Sequence, residues 1–448
     1  MARMLKHEVF ESMRGVSSTV MVQDEQQALQ RPATTSVVKG AGRPRVWVVS
    51  ELYYPELTST GYFLTAIAEG LASANTVSVL CGQPSYWLRG VRAPAIEQRN
   101  GVEIRRCWAT TLDKNRTLFK VMNMFTISFS IFVSVLCQAR RDDSVIVVTN
   151  PPLLPYVVAL ACRVKRARLV LLVHDVYPEI LVQLGLLRAR SVSSRAMNFV
   201  SCWLYNSAAR VLVLGRDMRN LVAKKLVSRQ GSITIAPNWA DVDATFPMPR
   251  NDNSLLASLG ITDKFVVQFW GNMGRPHCVE DLIEAAQLLV AEPDIHFLLI
   301  GWGTKKAWVD AQIKGCGLNN VTLIDPLPRE QSCEVQNACD LAINTLSSGM
   351  TGISVPSRSY NAMAAAKPIV AVCDADSELA LMVREEDMGW VIPPGRPDLL
   401  AAALREAKED RGRIRGMGAR ARAAVEAKYS TSNAMRIYQD VIEGLQRE

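Results

Sequence analysis

The sequence predicts an α/β protein with two doubly wound, Rossmann-like domains that face a shared cleft. Its 448 residues are too many for one ordinary hydrophobic core. Short β-rich apolar segments alternate with helical segments, and the alternation starts again near residue 265. Polar or glycine-rich loops follow most of these strands. Ligands bind beyond the carboxyl ends of such strands, so the loops predict a binding cleft between the domains.

The predicted strands fall into two groups, one in each half of the chain. Those of the first half are 46–50, 77–80, 102–105, 145–148, 169–173, 209–214 and 232–235. Those of the second half are 265–269, 295–300, 321–324, 341–343 and 368–372. Predicted helices between them, such as 62–72 and 280–290, make parallel βαβ units the expected arrangement.

This pattern gives four segments. Residues 1–44 are mixed polar and basic without the apolar stretch of a signal peptide, and we expect a disordered tail there. The first domain is assigned to residues 45–245 and the second to 246–430, because the chain is rich in Pro, Asn, Asp and Ser near 242–263. A final helix in 431–448 follows both domains, and one option is that it crosses back to the first.

The charge balance predicts an anionic partner. The formal net charge is +8 and the isoelectric point is about 9.0, which suits nucleic acid, an anionic membrane surface or a phosphorylated substrate. The absence of zinc-type cysteine pairs and of nucleic-acid-binding motifs argues against nucleic acid. The 10 scattered cysteines favour a reducing compartment, and the four histidines show no metal-site spacing.

Several enzyme classes lack their sequence motifs in this chain. No GxSxG, phosphate-binding GKS or GKT loop, HExxH, CxxC or EF-hand pattern occurs. No GxGxxG follows the first strand of either half, which argues against a dinucleotide-dependent dehydrogenase.

The apolar segment 118–137 carries a single charge, Lys120, and its length is borderline for a membrane-spanning helix. Spanning is disfavoured because it would put neighbouring strands of one sheet on opposite sides of the membrane. A buried core helix and an interfacial helix stay open, with the interfacial one favoured. Basic residues flank the segment: Lys114, Arg116, Arg140 and Arg141.

Residues 352–378 are the most informative stretch. Ser357 is predicted to cap a helix whose first turn contains Arg358, and a buried strand follows. A helix N-terminus with an arginine is a natural place for a phosphate. The alternative is an ordinary capped helix with a solvated arginine.

Other candidates follow the predicted strands. His174 and Asp175 could act as acid and base or hold a sugar hydroxyl, whereas a structural histidine is the alternative. Arg275 could reach a phosphate or be an ordinary surface arginine. Glu378 could hydrogen-bond sugar or ribose hydroxyls, or be the acidic residue of a helix N-terminus.

Two further loops allow either a ligand-binding role or a purely structural one. Gly301 and Gly303 would let the backbone approach a ligand closely, although a lone GxG is weak. The loop 325–328 could frame a base edge or be only a turn.

Taken in order, many of these segments match a known family. They are 49–56 with Gly61, 80–86, 149–153, 174–179, 184–187, 237–239, 271–274, 301–303, 356–360, 377–378 and 393–395. Together they resemble the retaining family-4 glycosyltransferases of the GT-B fold. The resemblance is nearest to the branch that builds bacterial capsule, colanic acid and O-antigen sugars, including the L-fucosamine transferase type. It extends from about residue 45 to the C-terminus.

The resemblance implies transfer of a sugar from a UDP- or GDP-linked donor, with retained anomeric configuration and without a metal or cofactor. The acceptor would be a polyprenyl-diphosphate-linked sugar or another glycan bound by the N-terminal domain, with the protein cytoplasmic and peripheral on the inner face of the cell membrane. The implied catalytic residues are His174, Asp175 and Glu378. The implied donor-binding residues are Gly61, Asn272, Arg275, Gly301, Gly303, Pro326, Arg358, Tyr360, Asn361 and Ser377.

The chain departs from the wider family at one motif. Two glutamates that many members carry are replaced here by Ile353 and Asn361, so their role cannot be transferred. Two alternatives follow: a GT-B-like UDP-sugar 2-epimerase, which the apolar basic segment disfavours, and an inactive nucleotide-sugar-binding scaffold.

Overall fold

The computed structural model describes residues 45–448 except 57, 86–90, 113–115 and 227–231. The predicted tail 1–44 therefore lies outside the described residues. The described chain forms two largely parallel β-sheets, one in each half, with helices on both faces. This is the predicted α/β architecture.

The first sheet has eight strands in the order β3-β4-β2-β1-β5-β6-β7-β8. They are β1 (Val46–Val49), β2 (Val77–Cys81), β3 (Ile96–Arg99), β4 (Val102–Arg106), β5 (Ser144–Val148), β6 (Arg168–Val173), β7 (Arg210–Val213) and β8 (Ile233–Ile235). Edge strand β3 pairs antiparallel with β4 and was missed by the sequence prediction. Its four residues include only one apolar side chain, so the segment lacks the pattern of a buried strand.

The helices of the first half form two layers. They are α1 (Ser59–Leu71), α2 (Thr117–Gln138), α3 (Leu154–Lys165), α4 (Glu179–Gln183), α5 (Val192–Ser207) and α6 (Arg216–Ala223). Helices α2, α3, α5 and α6 share one hydrophobic core with the sheet, and α1 packs on the opposite face.

The second sheet has six parallel strands in the order β11-β10-β9-β12-β13-β14. They are β9 (Phe265–Asn272), β10 (Ile295–Trp302), β11 (Val321–Ile324), β12 (Leu341–Thr345), β13 (Ile369–Val372) and β14 (Gly389–Ile392). Strands β9 and β10 continue further than predicted, because Gly271 and Gly301 pair with each other within the sheet.

The helices of the second half are α7 (Ser254–Leu259), α8 (Val279–Leu288), α9 (Lys306–Gly315), α10 (Ser332–Asn337), α11 (Arg358–Ala364), α12 (Glu378–Glu385), α13 (Pro397–Glu409) and α14 (Arg411–Lys428). Helix α7 lies inside the stretch that we predicted as the boundary. Its Leu256 is fully buried in a core with Val266 and Leu298, so α7 packs with the second sheet.

The last helix, α15 (Thr431–Arg447), returns to the first half of the chain. Its Tyr438 packs at 6.3 Å, centroid to centroid, from Trp239, whose ring lies 4.7 Å from that of Phe63 on α1. All three rings are buried. The two halves are therefore connected by the segment after β8 and again by α15.

Helix α2 has one buried and one exposed apolar face. Ile127, Ile131 and Val135 are buried against the first sheet and α3. Phe125 and Phe129 lie on the other face and are 56% and 67% exposed. By length and composition alone, Leu118–Gln138 is the one helix of the described residues that could cross a membrane, and 28% of its apolar window is buried inside the protein.

Candidate active site

The end of β6 meets a loop of the second half. The backbone N–H of Val176 donates to the carbonyl of Ile353 at 3.2 Å, and the Asp175 carboxyl is hydrogen-bonded to Ser354. Thr149, at the end of β5, accepts hydrogen bonds from the backbone N–H groups of His174 at 3.1 Å and Asp175 at 3.2 Å. The predicted pair is therefore held at a junction between the two sheets.

Burial sets the protonation of this pair. It raises the pKa of Asp175 to about 6, and the hydrogen bond from Ser354 opposes the shift. Burial lowers the pKa of His174 to about 4, so its imidazole is neutral at pH 7. Asp175 can exchange a proton near neutral pH, whereas His174 can offer only neutral hydrogen bonds.

Arg358, the first residue of α11, lies over the end of β9. Its guanidinium carbon is 4.6 Å from the centroid of the Phe269 ring. One terminal nitrogen (Nη2) lies 3.2 Å from Nε2 of His277 and 3.5 Å from the carbonyl of Asn272. A Cβ at Gly271 would lie 3.0 Å from the guanidinium carbon, so glycine leaves space for the arginine.

The positive charge of Arg358 has no counter-charge among the described residues. No carboxylate of the described chain lies within ion-pair distance of it, and its buried Nη1 lacks a hydrogen-bond partner. Burial lowers the pKa of Arg358 to about 10, which still leaves it charged at pH 7. A buried, unpaired cation with a free donor favours an anionic ligand.

Most of the other predicted donor-binding residues of the second half lie at the ends of β9, β10 and β11, or on α11 with this arginine. Asn272 is exposed at the end of β9, and Arg275 is exposed on the loop that follows. A Cβ at Gly303, whose φ is +132°, would lie 2.5 Å from the Asn272 side-chain oxygen. Pro326 follows β11 and Asn361 lies on α11, both partly exposed.

Two predicted glycines are required for packing. In the first turn of α1, a Cβ at Gly61 would lie 2.8 Å from the carbonyl of Glu56. A Cβ at Gly301 would lie 1.9 Å from the carbonyl of Gly271 on the neighbouring strand. The close approach expected of a ligand at Gly301 is made instead by β9.

Three expectations about polar side chains differ from the structure. Ser357 makes no side-chain capping hydrogen bond. Tyr360 is 1% exposed and packs against Tyr429 at 5.2 Å, since it points into the core rather than to the cleft. Ser377 is 1% exposed, and its hydroxyl caps α12 by accepting from the N–H of Ala380.

Glu378, predicted to meet the sugar, joins the two halves. Its carboxylate accepts from the backbone N–H of Arg216 at 2.6 Å and from the Arg216 guanidinium at 3.0 to 3.2 Å. Asp217 accepts from the N–H groups of Gly352 at 3.0 Å and Glu378 at 2.9 Å. Arg216, Asp217 and Glu378 are called the interdomain junction below.

The sequence analysis missed Arg216, Asp217 and His277. The first two follow β7, so their position after a strand was an available signal. His277 lies on the loop after β9, two residues beyond the predicted Arg275, so the same signal was available, but its contacts with β9, β12 and α11 were not readable from the sequence.

Comparisons with known proteins agree with this architecture. The family described as "Glycosyl transferases group 1" matches residues 253–424, and "Glycosyl transferase 4-like domain" matches 60–239. The probable glycosyltransferase WbjE of Pseudomonas aeruginosa is 33% identical over 81% of this chain and 89% of its own. The chain belongs to the group 1 glycosyltransferases. The protein is therefore a transferase, and the comparisons give no support to the 2-epimerase alternative.

Two further similarities describe this glycosyltransferase. The putative colanic acid biosynthesis glycosyl transferase WcaI of Escherichia coli K12 is 25% identical over 79% of this chain and 90% of its own. The structure of HepE from Anabaena in complex with UDP-glucose has a TM-score of 0.69 at 18% identity, covering 91% of this chain and 100% of that one. The latter similarity shows the GT-B fold.

Proposed function

We propose that this glycosyltransferase moves a sugar from a UDP- or GDP-linked donor to a lipid-linked or oligosaccharide acceptor, with retention of anomeric configuration. The reaction would serve bacterial surface polysaccharide synthesis, in the capsule, colanic acid and O-antigen branch that includes L-fucosamine transferases. The names of WbjE and WcaI support the glycosyltransferase and colanic-acid parts of this proposal. The complex of HepE with UDP-glucose supports a nucleotide-linked donor.

The observation that carries the proposal is the uncompensated charge of Arg358. A sugar nucleotide has a diphosphate between its two ends, and the negative charge on that diphosphate grows as the sugar leaves. Arg358 has a free Nη1 donor and no carboxylate partner among the described residues, so it is suited to this charge. Exposed Arg275 can supply a second positive charge. The donor is accordingly proposed to occupy the C-terminal domain, residues 246–430.

The proposed step needs no metal or cofactor. The bond between the anomeric carbon and the diphosphate oxygen breaks, and the acceptor hydroxyl oxygen bonds to that carbon on the same face. The hydroxyl proton passes to the leaving diphosphate, so atoms and charge balance. His174 and Asp175 would hold hydroxyl groups of the acceptor and of the reacting sugar.

The acceptor side is proposed to face the membrane on the cytoplasmic side. Most of the exposed large apolar side chains of the described chain lie on α2, α3 and α5, the helices of one face of the N-terminal domain. They are Leu118, Val121, Met122, Phe125, Phe129, Val133, Leu160, Val164, Val192, Phe199 and Val200. Basic residues accompany them, including Arg116, Lys120, Arg140, Arg141, Arg163 and Arg195. Apolar side chains with flanking cations suit an anionic lipid surface, and the predicted segment 114–141 would be its centre, although 114 and 115, and with them Lys114, lie outside the described residues.

This surface can be tested with vesicles of phosphatidylglycerol and phosphatidylcholine. Replacing both Phe125 and Phe129 by serine should lower the partition coefficient on the order of a hundredfold, since each buried phenylalanine contributes about 1.5 kcal/mol. Neutralising Arg140 and Arg141 with glutamine should cost about 1 kcal/mol each, mostly at low salt. Phe246→Ser, on an exposed phenylalanine of the second half, is the control. Equal sedimentation of all variants would contradict the membrane surface.

The function itself can be tested by incubating the purified protein with labelled UDP- and GDP-sugars and polyprenyl-diphosphate-linked acceptors. Transfer of label to the glycolipid, with an anomeric configuration that matches the donor, is the expected result. Binding of a sugar nucleotide without turnover on any acceptor would support the inactive scaffold. Binding of no sugar nucleotide would overturn the proposal.

A further inference from the structure

The second-half site contains a buried histidine that orients an arginine. His277 is 9% exposed, and its Nδ1 lies 2.6 Å from the backbone carbonyl of Thr345 at the end of β12. A carbonyl oxygen can only accept, so Nδ1 carries the proton. The other ring nitrogen, Nε2, therefore presents a lone pair when the imidazole is neutral. It lies 3.2 Å from a guanidinium nitrogen of Arg358, which donates to it.

The surroundings of His277 keep it neutral. The groups that face it are the Arg358 guanidinium on α11, the backbone of Thr345 on β12, the Phe269 ring on β9 and Lys305 after β10. Lys305 donates to the His277 carbonyl at 2.7 Å and is itself paired with Glu280 at 2.8 Å. Burial, followed by the charge of Arg358, lowers the pKa of His277 to about 3.

We propose that His277 is a positioning residue that fixes the Arg358 guanidinium for a diphosphate without neutralising its charge. This inference rests on the proposed function and names the residue that prepares its anion site. An aspartate or glutamate at this place would also hold the arginine, but its negative charge would compete with the ligand. A neutral imidazole satisfies one guanidinium N–H and leaves the full positive charge for the anion. The face of the Phe269 ring and the Asn272 carbonyl are the other contacts of the guanidinium, and Nη1 of Arg358 has no hydrogen-bond partner among the described residues.

Three substitutions separate positioning from packing. His277→Gln keeps a neutral acceptor and a donor on one side chain of similar reach. His277→Glu has nearly the same size but carries a charge. His277→Phe keeps a planar ring without an acceptor. Tyr360→Phe, on the same helix as Arg358 but inside the core, serves as the packing control.

The measurements are the dissociation constants of UDP, GDP, the corresponding nucleosides and inorganic pyrophosphate by calorimetry, on the full chain. We expect affinity for the better diphosphate to stay within about threefold in His277→Gln. It should fall on the order of tenfold in His277→Phe and further in His277→Glu, because hydrogen bonds to charged groups and opposing charges have effects of this size. Nucleoside affinity should not follow this order. Pyrophosphate, which has no base, should follow it.

Equal losses in His277→Gln and His277→Glu, or parallel losses of nucleoside and diphosphate, would mean that the histidine is only structural and would overturn the inference. A wild-type affinity that titrates between pH 5.5 and 8 and loses this titration in His277→Phe would also overturn it, since it would show a charged imidazole. If the wild type binds no nucleoside diphosphate at all, the proposed function fails first. Normal binding that all three variants retain would refute only the role of His277.

Discussion

The interdomain junction gives the sharpest test of what Glu378 does. We predict that Glu378→Gln lowers the free energy of unfolding and leaves the affinity for nucleoside diphosphate within about twofold, a difference under 0.5 kcal/mol. The carboxylate is 11% exposed and accepts from both the backbone and the guanidinium of Arg216. Its loss leaves these donors with a neutral amide partner. If Glu378 instead belonged to the donor site, Glu378→Gln would lower the affinity for nucleoside diphosphate and leave the free energy of unfolding unchanged.

The magnitude follows from the contacts. A hydrogen bond to a charged group contributes about 1.5 to 3 kcal/mol, and the 35% exposure of the Arg216 side chain argues for the lower part of this range, about 2 kcal/mol. Unfolding entropy is about 2.1 cal/mol/K per residue, so ~2 kcal/mol lowers the melting temperature of a chain of 448 residues by about 2 °C.

The assay is a double-mutant cycle by calorimetric unfolding. Glu378→Gln, Arg216→Gln and the double variant should give a coupling energy of about 1 to 2 kcal/mol. The control is Glu385→Gln. The pKa of Arg216 is raised by hydrogen bonds to both Glu385 and Glu378, but Glu385 is 52% exposed, so its removal should cost under about 0.5 kcal/mol. Unchanged stability in Glu378→Gln together with a large loss of turnover would refute the structural role of Glu378 at the interdomain junction and support the catalytic role predicted from the sequence.

The remaining predictions concern Asp175, Gly301 and the N-terminal tail. If ionised Asp175 is needed for turnover, kcat/KM should rise about tenfold per pH unit up to an apparent pKa of about 6 and then become constant. Asp175→Asn should remove this rise with pH. A wild-type kcat/KM that does not change between pH 4.5 and 8 would contradict the need for ionised Asp175. Because the folded-state pKa of Asp175 is raised, its contribution to stability is greatest in acid and is lost as the pH rises through 6. Gly301→Ala should lower the free energy of unfolding by about 1 to 3 kcal/mol or more, since the new Cβ would meet the Gly271 carbonyl in the second sheet. A variant with the melting temperature of the wild type would exclude that close contact. Deleting residues 1–40 should leave turnover within about twofold, under 0.5 kcal/mol in barrier, as measured by the same glycolipid assay; a large loss would refute the dispensable tail.

Much of the architecture could be predicted because its cause is local. An apolar run such as that of β6, followed by the polar pair His174 and Asp175, predicts both a buried strand and a loop at its carboxyl end. The alternation of such segments leaves few topologies other than parallel βαβ units. The edge strand β3 was not predicted, because its sequence is polar and its pairing with β4 is a tertiary contact.

The candidate site was harder to predict, because the position of a residue near the end of a strand does not determine where its side chain points. Tyr360 and Ser377 lie in the predicted motifs, yet both side chains are buried, one in a core and one as a helix cap. Arg358 lies over the Phe269 ring of β9, but its neutral acceptor His277 lies 81 residues away in sequence. Contacts over such separations depend on which faces of the elements pack together, and no local pattern encodes that.

The residue pattern was enough to predict the two-sheet α/β class, most of the strands and helices in their order, and a resemblance to glycosyltransferases that the comparisons support. Each rests on residue patterns within a few turns of chain. The three-dimensional contacts were needed to show that Glu378 joins the halves, that Gly301 serves strand packing, and that Arg358 has no counter-charge among the described residues. The physical reason is that burial, hydrogen-bond partners and electrostatic fields arise between elements distant in sequence. These interactions decide which polar residues remain free for a ligand.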